Sequence, residues 1–310
     1  MKITLPESLK TDLPQTFWGK ILGATPVVMT VVATLLAGLA SSEMTRAQYD
    51  RSWAAQLQSK AGDQWNYFQG KKLRGTVQRS TLDLMSGTAE VRPLQRETLL
   101  RALSGTEAGS ALESASGKQA LTALLAAELP ATGPAESSSP EVRAALDALE
   151  HSRPDEELVA LLAKVEDATL ANELRRAQEQ ASAFDVATKP IGQVIDLVER
   201  QLGQPGASSA LRRDLIAARL SYSAQRYDAE ARLNQVIASL YELQVREGNL
   251  SAERHHRRSQ KFFYGMLAAQ LGVIVSTLAM AARQRNLLWS VAAFAGAAAI
   301  SFAVYVYLFV

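Results

Sequence analysis

Three stretches of uninterrupted apolar and small residues dominate the hydrophobic pattern of the chain. Residues 21–40, 262–282 and 287–310 contain no Asp, Glu, Lys or Arg. At about 1.5 Å per helical residue, some 20 such residues match the ~30 Å hydrocarbon layer of a bilayer. We therefore predict three transmembrane helices, the last two joined in a tight hairpin by the sequence RQRN.

The first apolar stretch has a competing interpretation as a cleaved signal peptide, because its end, GLASS, contains small residues. The apolar core of a signal peptide spans only about 7 to 15 residues. The stretch over residues 21–40 is longer than that. We predict an uncleaved membrane anchor, preceded by an N-terminal tail over residues 1–20.

Helical periodicity continues between the first and second spans. It predicts a membrane-proximal helix over residues 41–85, which continues the first span, and a returning helix over residues 210–261, which enters the second. The apolar stripe of the returning helix is wider than a strict heptad seam, which favours a multi-helix bundle. The predicted fold class is an all-α membrane protein with a long helical bundle or coiled-coil-like extramembrane domain between spans one and two.

The distal region, residues 86–209, mixes helix signals with breakers. Polar caps, prolines and acidic first turns predict a short helix at PEVRAALDALE and a long one at DEELVALLAKVEDATLANELRRAQEQASAF. The stretches SGTEAGSALESASGK and LPATGPAESSSP are rich in Gly, Ser and Pro and are predicted loops or frayed helix joins. The sequence GQPGASS is predicted to end another short helix.

A run of aromatic and apolar residues at steps of four, four, four, four and three follows the first span. Such steps place side chains on one helix face, so we predict a packing seam against the returning helix. The alternative is a ligand or partner surface carried by Lys71, Lys72 and Arg74. The seam residues are Tyr49, Trp53, Leu57, Ala61, Trp65 and Phe68.

Small residues also recur at four-residue steps inside the second and third spans. Such faces let helix backbones approach closely, either within one chain or between copies. The alternative is that alanine is simply abundant in this chain. The predicted span-packing residues are Ala268, Gly272, Ser276 and Gly296.

Charge and composition narrow the classes of partner. The 33 Lys and Arg residues nearly balance the 31 Asp and Glu residues, so no basic face suggests nucleic-acid binding. The chain has no cysteine, which excludes disulfides and thiolate metal sites. Four basic residues crowd the start of the second span and are predicted to contact anionic lipid headgroups of the bilayer. This basic collar comprises Arg254, Arg257, Arg258 and Lys261.

The two ends of the chain carry a family resemblance. The sequence SKAGDQWNYFQGKKLRG after the first span, and AERHHRRSQKFFYGMLAAQLGVIVSTLAMAARQRNLLW towards the end, resemble an uncharacterised bacterial membrane family, domain of unknown function 4337. The resemblance covers residues 21–75 and 219–310, and residues between them look like a large helical insertion. It implies a bacterial inner (plasma) membrane location and supplies no activity.

Motifs for catalysis or cofactor binding are missing. The sequence SGKQA lacks the Ser or Thr that follows the lysine of a phosphate loop. The three histidines are His151, beside a helix end, and the adjacent His255 and His256, which face different sides of a helix. We interpret the last two as interfacial cations, with a pH sensor as the alternative. No catalytic, cofactor-binding or metal residues are expected.

These patterns favour a non-enzymatic homo-oligomer whose helical domain acts as a scaffold or interaction module, with no protein partner identified. The alternative is a pore or channel gated by that domain. Basic residues near the membrane are more numerous on the domain side, which favours a cytoplasmic domain. Against this, a short N-terminus with lysines usually stays inside, and long domains can cross whatever their charge.

Overall fold

A computed structural model of the chain describes residues 17–130, 139–281 and 285–309, and the only regular secondary structure in this described part is helix. The chain divides into two compact units. Unit 1 contains Met1–Ala54 and Arg246–Val310, and unit 2 contains Ala55–Val245. The helices of the described part are α1 (Phe17–Thr88), α2 (Arg96–Ala102), α3 (Glu107–Glu113), α4 (Ala115–Ala126), α5 (Pro140–Glu150), α6 (Asp155–Leu162), α7 (Asp167–Leu202), α8 (Ser209–Ala281) and α9 (Arg285–Phe309).

The two longest helices agree with the sequence pattern. Helix α1 runs without a break through the first apolar stretch and the membrane-proximal segment, and α8 joins the returning helix to the second apolar stretch. Both are long and apolar enough to cross a membrane. Helix α9 contains a shorter apolar segment, Ser290–Val306. Residues 1–16 of the predicted tail and the first two residues of the RQRN link lie outside the described residues, and the other two link residues belong to α9.

Unit 1 is built from α1, α8 and α9, whose small and medium-sized residues face one another. Helices α1 and α8 run antiparallel, because Ala40 lies beside Ser259 whereas Leu36 lies beside Gly265. Buried α1 residues in this unit include alanines spaced seven apart, a narrow contact strip. The buried core of unit 1 contains Met29, Ala33, Leu36, Ala40, Phe262, Ala269, Ala299 and Val306.

Unit 2 has its core among α2, α3, α4, α7 and the first turns of α8. The leucines of the short helices meet an apolar face of α7, where Ile191, Ile195 and Val198 are buried. Helices α5 and α6 pack on each other. The α1 segment of this unit buries a strip that includes Leu57, Ala61 and Gly75.

The stretch SGTEAGSALESASGK was predicted as a loop or a frayed helix join, and the loop prediction is wrong, because the stretch forms α3 and the start of α4. Thr106 and Ser114 cap these helices by accepting hydrogen bonds from the N–H groups of Gly109 and Gly117. Both glycines sit against backbone, since a Cβ on Gly117 would lie 2.1 Å from the Ala111 carbonyl oxygen. Here glycine permits tight helix packing and does not mark a loop. Most of the second predicted loop, residues 131–138, lies outside the described residues.

The predicted long helix starting at DEEL is also wrong, because it is divided into α6 and α7. Helix α6 ends at Leu162, and Glu166 is the N-cap of α7, with Asp167 in its first turn. Acidic residues at this position complement the helix dipole. Helix α7 then continues for 36 residues, so GQPGASS follows a long helix and not a short one.

Candidate functional site

Trp65, at the centre of the aromatic stretch, contacts α8 within unit 2. It is half-buried, and its Nε1 donates a 2.7 Å hydrogen bond to Glu242 Oε1. Its ring meets Phe68 edge-on, with 5.4 Å between ring centroids. Trp65 and Phe68 thus lie on the inner side of α1, where a tryptophan N–H needs an acceptor.

Two other aromatics depart from the predicted seam. Tyr49 is 70% exposed and Trp53 is 46% exposed, whereas Leu57 is buried. A step of four residues turns about 40° around a helix of 3.6 residues per turn, so five residues at this step wind off one face. Burial instead follows steps of seven, three and four residues, at Ala47, Ala54, Leu57 and Ala61.

An ion-paired cluster lies on the α1–α8 seam of unit 2. Glu230 is only 6% exposed. Its Oε2 accepts a 2.5 Å hydrogen bond from Lys71 Nζ, and its Oε1 lies 3.3 Å from Arg226 Nε. Arg226 also stacks on Tyr227, 4.9 Å from the ring centroid. One carboxylate therefore faces two cations, which leaves an excess of positive charge at this point.

The remaining cations of the GKKLRG sequence lie more towards solvent. Asp228 pairs with Arg79 and lies 3.7 Å from Lys72. Gly75 is buried beside it, and an added Cβ would lie 3.2 Å from Asp228 Oδ1. Arg74 is exposed. The structure thus assigns Lys71 to the packed seam and leaves Arg74 on the surface.

Two cavities of about 400 Å³ each adjoin this cluster in unit 2. Tyr222, on the wall of one of them, is 1% exposed. Burial raises the pKa of its phenol, because the charged form loses solvation. The lining of that cavity includes Gln78, Gly192, Asp196, Arg219, Tyr222 and Arg226, and the other includes Gln64, Tyr67, Lys71, Gln178, Asp185 and Asn234.

Within unit 1, the span-packing glycines face Met29 of α1. A Cβ on Gly272 would lie 2.7 Å from Met29 Cε, and a Cβ on Gly296 would lie 2.7 Å from Met29 Sδ. Ser276 is buried and donates to the Val273 carbonyl, and Ala268 packs at the edge of the core. The small residues therefore make room for a larger side chain of the same chain.

Three members of the basic collar, Arg254, Arg257 and Lys261, are three or four residues apart on one face of α8, and Arg258, next to Arg257, is half-buried. Arg254 and Arg257 are exposed. Arg257 donates to Glu253, and this contact holds the pKa of Glu253 below its ordinary value. Lys261 lies 5.5 Å from the ring centroid of Tyr305 on α9.

The histidines have separate surroundings. His255 Nδ1 lies 2.5 Å from Glu43 Oε2, and His256 Nε2 lies 3.0 Å from Gln260. His151 contacts Asp147 on its own helix. No group of three His, Cys, Asp or Glu residues that could hold a metal ion occurs in the described part of the chain. The expectation of no metal site stays a prediction.

A family model for a domain of unknown function, DUF4337, matches residues 18–191, which is more than half of the chain. The chain belongs to the DUF4337 family. The matched range differs from the resemblance described above: it runs through the distal region as far as α7 and stops before α8. No curated protein and no solved structure matches the chain.

The DUF4337 match contains one side of the candidate site. Trp65 and Lys71 of α1 lie inside the matched range, whereas their α8 partners, Glu242 and Glu230, lie outside it. The partner residues therefore come from the structure and not from the family model.

Sequence reasoning missed the acidic half of the site. Glu230, Asp228 and Glu242 lie on α8, far along the chain from their cationic and indole partners. The available signal was a polar residue at seven-residue intervals in an otherwise packed strip of α1, at Gln64, Lys71 and Gln78. Polar residues at such positions call for partners on the facing helix.

Proposed function

We propose that this chain is a non-enzymatic, homo-oligomeric membrane protein with three transmembrane helices, whose helical unit 2 acts as a scaffold or interaction module. The observation that carries the proposal is the inverted packing of unit 1. Many large apolar residues face outward from α1, α8 and α9, while the inward side holds alanine, glycine and serine together with Met29, Leu36, Phe262 and Val306. The outward residues include Val27, Val31, Leu35, Leu267, Leu271, Ile274, Phe294, Ile300 and Val304.

This arrangement fits lipid better than water as the surrounding medium. Contiguous apolar patches larger than a few hundred Å² are rare on soluble monomers. In a bilayer, apolar surface is solvated by acyl chains, and small residues at helix contacts supply close packing. The buried hydrogen bond from Ser259 Oγ to the Ala40 carbonyl, 2.8 Å long, also suits a medium that offers no competing water.

The basic collar supports a bacterial inner membrane with the large domain in the cytoplasm. Each exposed Lys or Arg near an anionic leaflet contributes about 1 kcal/mol of attraction. Arg254 and Arg257 are exposed at the start of the second span, where they can reach lipid phosphates. The count of basic residues on either side of the spans favours the same orientation.

Packing inside unit 1 favours a scaffold over a pore within one chain. The Met29 side chain occupies the space beside Gly272 and Gly296. A conduction path would therefore have to run between copies, along serine, threonine and glutamine side chains. No Asp, Glu, Lys or Arg lies within the three spans, which disfavours ion-coupled transport.

Two measurements test this proposal. Alkaline carbonate extraction of expressing cells should leave the chain in the membrane pellet, and release into the supernatant would contradict membrane spanning. Particle images of the detergent-solubilised chain should show a closed assembly of several copies. A monomer would overturn the oligomeric scaffold, and an open axial gap would favour the gated pore.

A further inference from the structure

Helix α1 has an apolar strip in unit 2 that faces away from α8. Leu73, Val77 and Leu84 are 66%, 51% and 68% exposed, and they are four and seven residues apart. This spacing places side chains on the face of a helix that pairs with another helix in a coiled coil. The positions between them on that face are exposed and uncharged as well. This outer strip comprises Asn66, Gly70, Leu73, Val77, Ser80 and Leu84.

The other side of this α1 segment is occupied by α8. Gly75 is buried against α8, and both Lys72 and Arg79 pair with Asp228 of that helix. An added Cβ on Gly70, by contrast, would enter open space. The chain therefore covers one side of α1, directs the neighbouring cations to that side, and leaves the outer strip open.

A second copy of α1 fits the outer strip without placing like charges against each other. In a parallel two-stranded pair, residues on the two edges of the apolar face lie opposite each other, five positions apart in sequence. Along the outer strip, this rule brings Gln69 of one copy to Arg74 of the other, and Thr76 to Thr81. The Gln69 side-chain carbonyl can accept a hydrogen bond from the Arg74 guanidinium. Neither edge pair is repulsive.

Membrane anchoring favours a parallel pair over an antiparallel one. Helix α1 runs without a break from Phe17 to Thr88 and contains the first predicted span. Copies in one membrane share their sidedness, so their α1 helices leave the bilayer in the same direction. The same residue of each copy then lies at the same distance from the bilayer, and Leu73, Val77 and Leu84 each face their own counterparts.

The size of the outer strip favours a second copy over a soluble protein. From Asn66 to Leu84 it is about 27 Å long and about 10 Å wide, so pairing would cover roughly 300 Å² on each copy. Stable complexes between soluble proteins typically cover about 800 Å² on each partner. Copies held in one membrane need less contact, because anchoring raises their effective concentration.

We propose that the outer strip joins two copies of this chain through parallel, in-register pairing of their α1 helices. The inference rests on the proposed homo-oligomeric function and assigns it an interface in unit 2. The small residues of the spans leave this role open, because Met29 of the same chain lies against Gly272 and Gly296.

Disulfide crosslinking tests the pairing, because the native chain has no cysteine. Leu73→Cys, Val77→Cys and Leu84→Cys, each alone in the full-length chain, are oxidised in isolated membranes. Each should form a dimer at least about tenfold faster than Val186→Cys, because a persistent contact raises the effective thiol concentration. Val186 is the matched control, since it is an apolar residue of α7 that is 70% exposed. Equal rates at all four positions would overturn the proposal.

A charge exchange at Val77 tests the register. Val77→Lys places two lysines against each other in the pair, and Val77→Glu places two glutamates. Two differently tagged chains of either variant should therefore lose co-purification from detergent, whereas a Val77→Lys chain with a Val77→Glu chain should regain it. Val186→Lys should leave co-purification unchanged. Because the Val77 side chain is exposed, the melting temperature of each variant should stay near the native value.

The outcomes separate this interface from the proposed function. If native copies co-purify and Val77→Lys copies do so equally well, the chain is an oligomer joined elsewhere, and the outer strip is not its interface. If native copies do not co-purify and the three cysteine variants of α1 do not crosslink, the homo-oligomeric function itself fails. Should a Val77 variant fail to fold, the crosslinking rates of Leu73→Cys and Leu84→Cys against Val186→Cys still decide.

Discussion

At the scale of single residues, Trp65 contributes by two separable interactions. Trp65→Phe keeps an aromatic ring but removes the hydrogen bond to Glu242, and it should lower the free energy of unfolding by about 1 kcal/mol. Trp65→Ala also removes the contact with Phe68 and should cost about 2 to 3 kcal/mol, less than a fully buried aromatic. Chemical denaturation followed by far-UV circular dichroism measures both. Unchanged stability with loss of a binding partner would instead make the stretch a recognition site.

Tyr222 gives unit 2 a predicted sensitivity to alkaline pH. Burial raises the pKa of its phenol above the ordinary value of 10.0, so the unfolded chain loses this proton first as the pH rises. The associated stability is present below pH 10 and is lost as the pH rises through the folded-state pKa. Tyr222→Phe should therefore lose less stability than the native chain between neutral pH and pH 11.

Denaturant unfolding at the two pH values measures this difference. Tyr49→Phe is the matched control, because it removes an exposed phenol in place of a buried one. An identical pH dependence in Tyr222→Phe and the native chain would show that the Tyr222 phenol does not carry the effect.

At the scale of helices, the close packing where α3 meets α4 depends on glycine, because no room is left there for a side chain. Gly117→Ala would place a Cβ 2.1 Å from the Ala111 carbonyl oxygen and should destabilise unit 2 by about 3 kcal/mol. Gly62→Ala, on an open face of α1, should instead stabilise the helix by up to about 1 kcal/mol. The melting temperature should fall in Gly117→Ala and rise in Gly62→Ala. If both melting temperatures moved in the same direction, the packing between α3 and α4 would not depend on glycine.

The packing of the three helices in unit 1 can be tested by a rescue experiment. Gly272→Leu should destabilise the unit and weaken assembly, because the new side chain collides with Met29. Met29→Ala in the same chain should restore much of the lost thermal stability. Gly296→Leu should behave in the same way. If stability and crosslinking both stay unchanged in the two single variants, the small-residue contacts are not needed.

The elements that could be predicted from sequence are those with one dominant signal. Helices α1 and α8 carry long apolar stretches and few breakers, and their bounds agree with the pattern. The α3–α4 region could not be predicted, because Gly109 and Gly117 serve close packing that only the folded chain creates. The α6–α7 break has neither Gly nor Pro between Ala163 and Glu166, so periodicity runs across it.

The candidate site was predictable only on the α1 side. Trp65 was recognised as a packing residue from its spacing, but Glu242 and Glu230 could not be paired with it or with Lys71 without the antiparallel register of α1 and α8 in unit 2. Tyr49 and Trp53 were wrongly assigned to the packing seam, because residues spaced uniformly four apart were taken to lie on one face of the helix. These errors arise from helix geometry and long-range register, which local patterns do not contain.

At the scale of the whole molecule, sidedness is the property most open to a direct test. The native chain has no cysteine, so Ser104→Cys introduces a single thiol at an exposed position of unit 2. If the large domain is cytoplasmic, a membrane-impermeant maleimide should label this thiol in lysed cells but not in intact spheroplasts. Labelling in intact spheroplasts would place the domain outside and overturn the argument from the basic collar.

The narrow contact strip of α1 affects how freely this chain can change in evolution. A strip with burial at steps of three and four occupies about two positions in seven. We therefore expect related chains to keep small residues at Ala33, Ala40, Ala47, Ala54 and Ala61, while the residues on most of the α1 surface are substituted freely. A comparison that weights every position alike would lose such relatives, whereas one that weights this seven-residue series would still detect them.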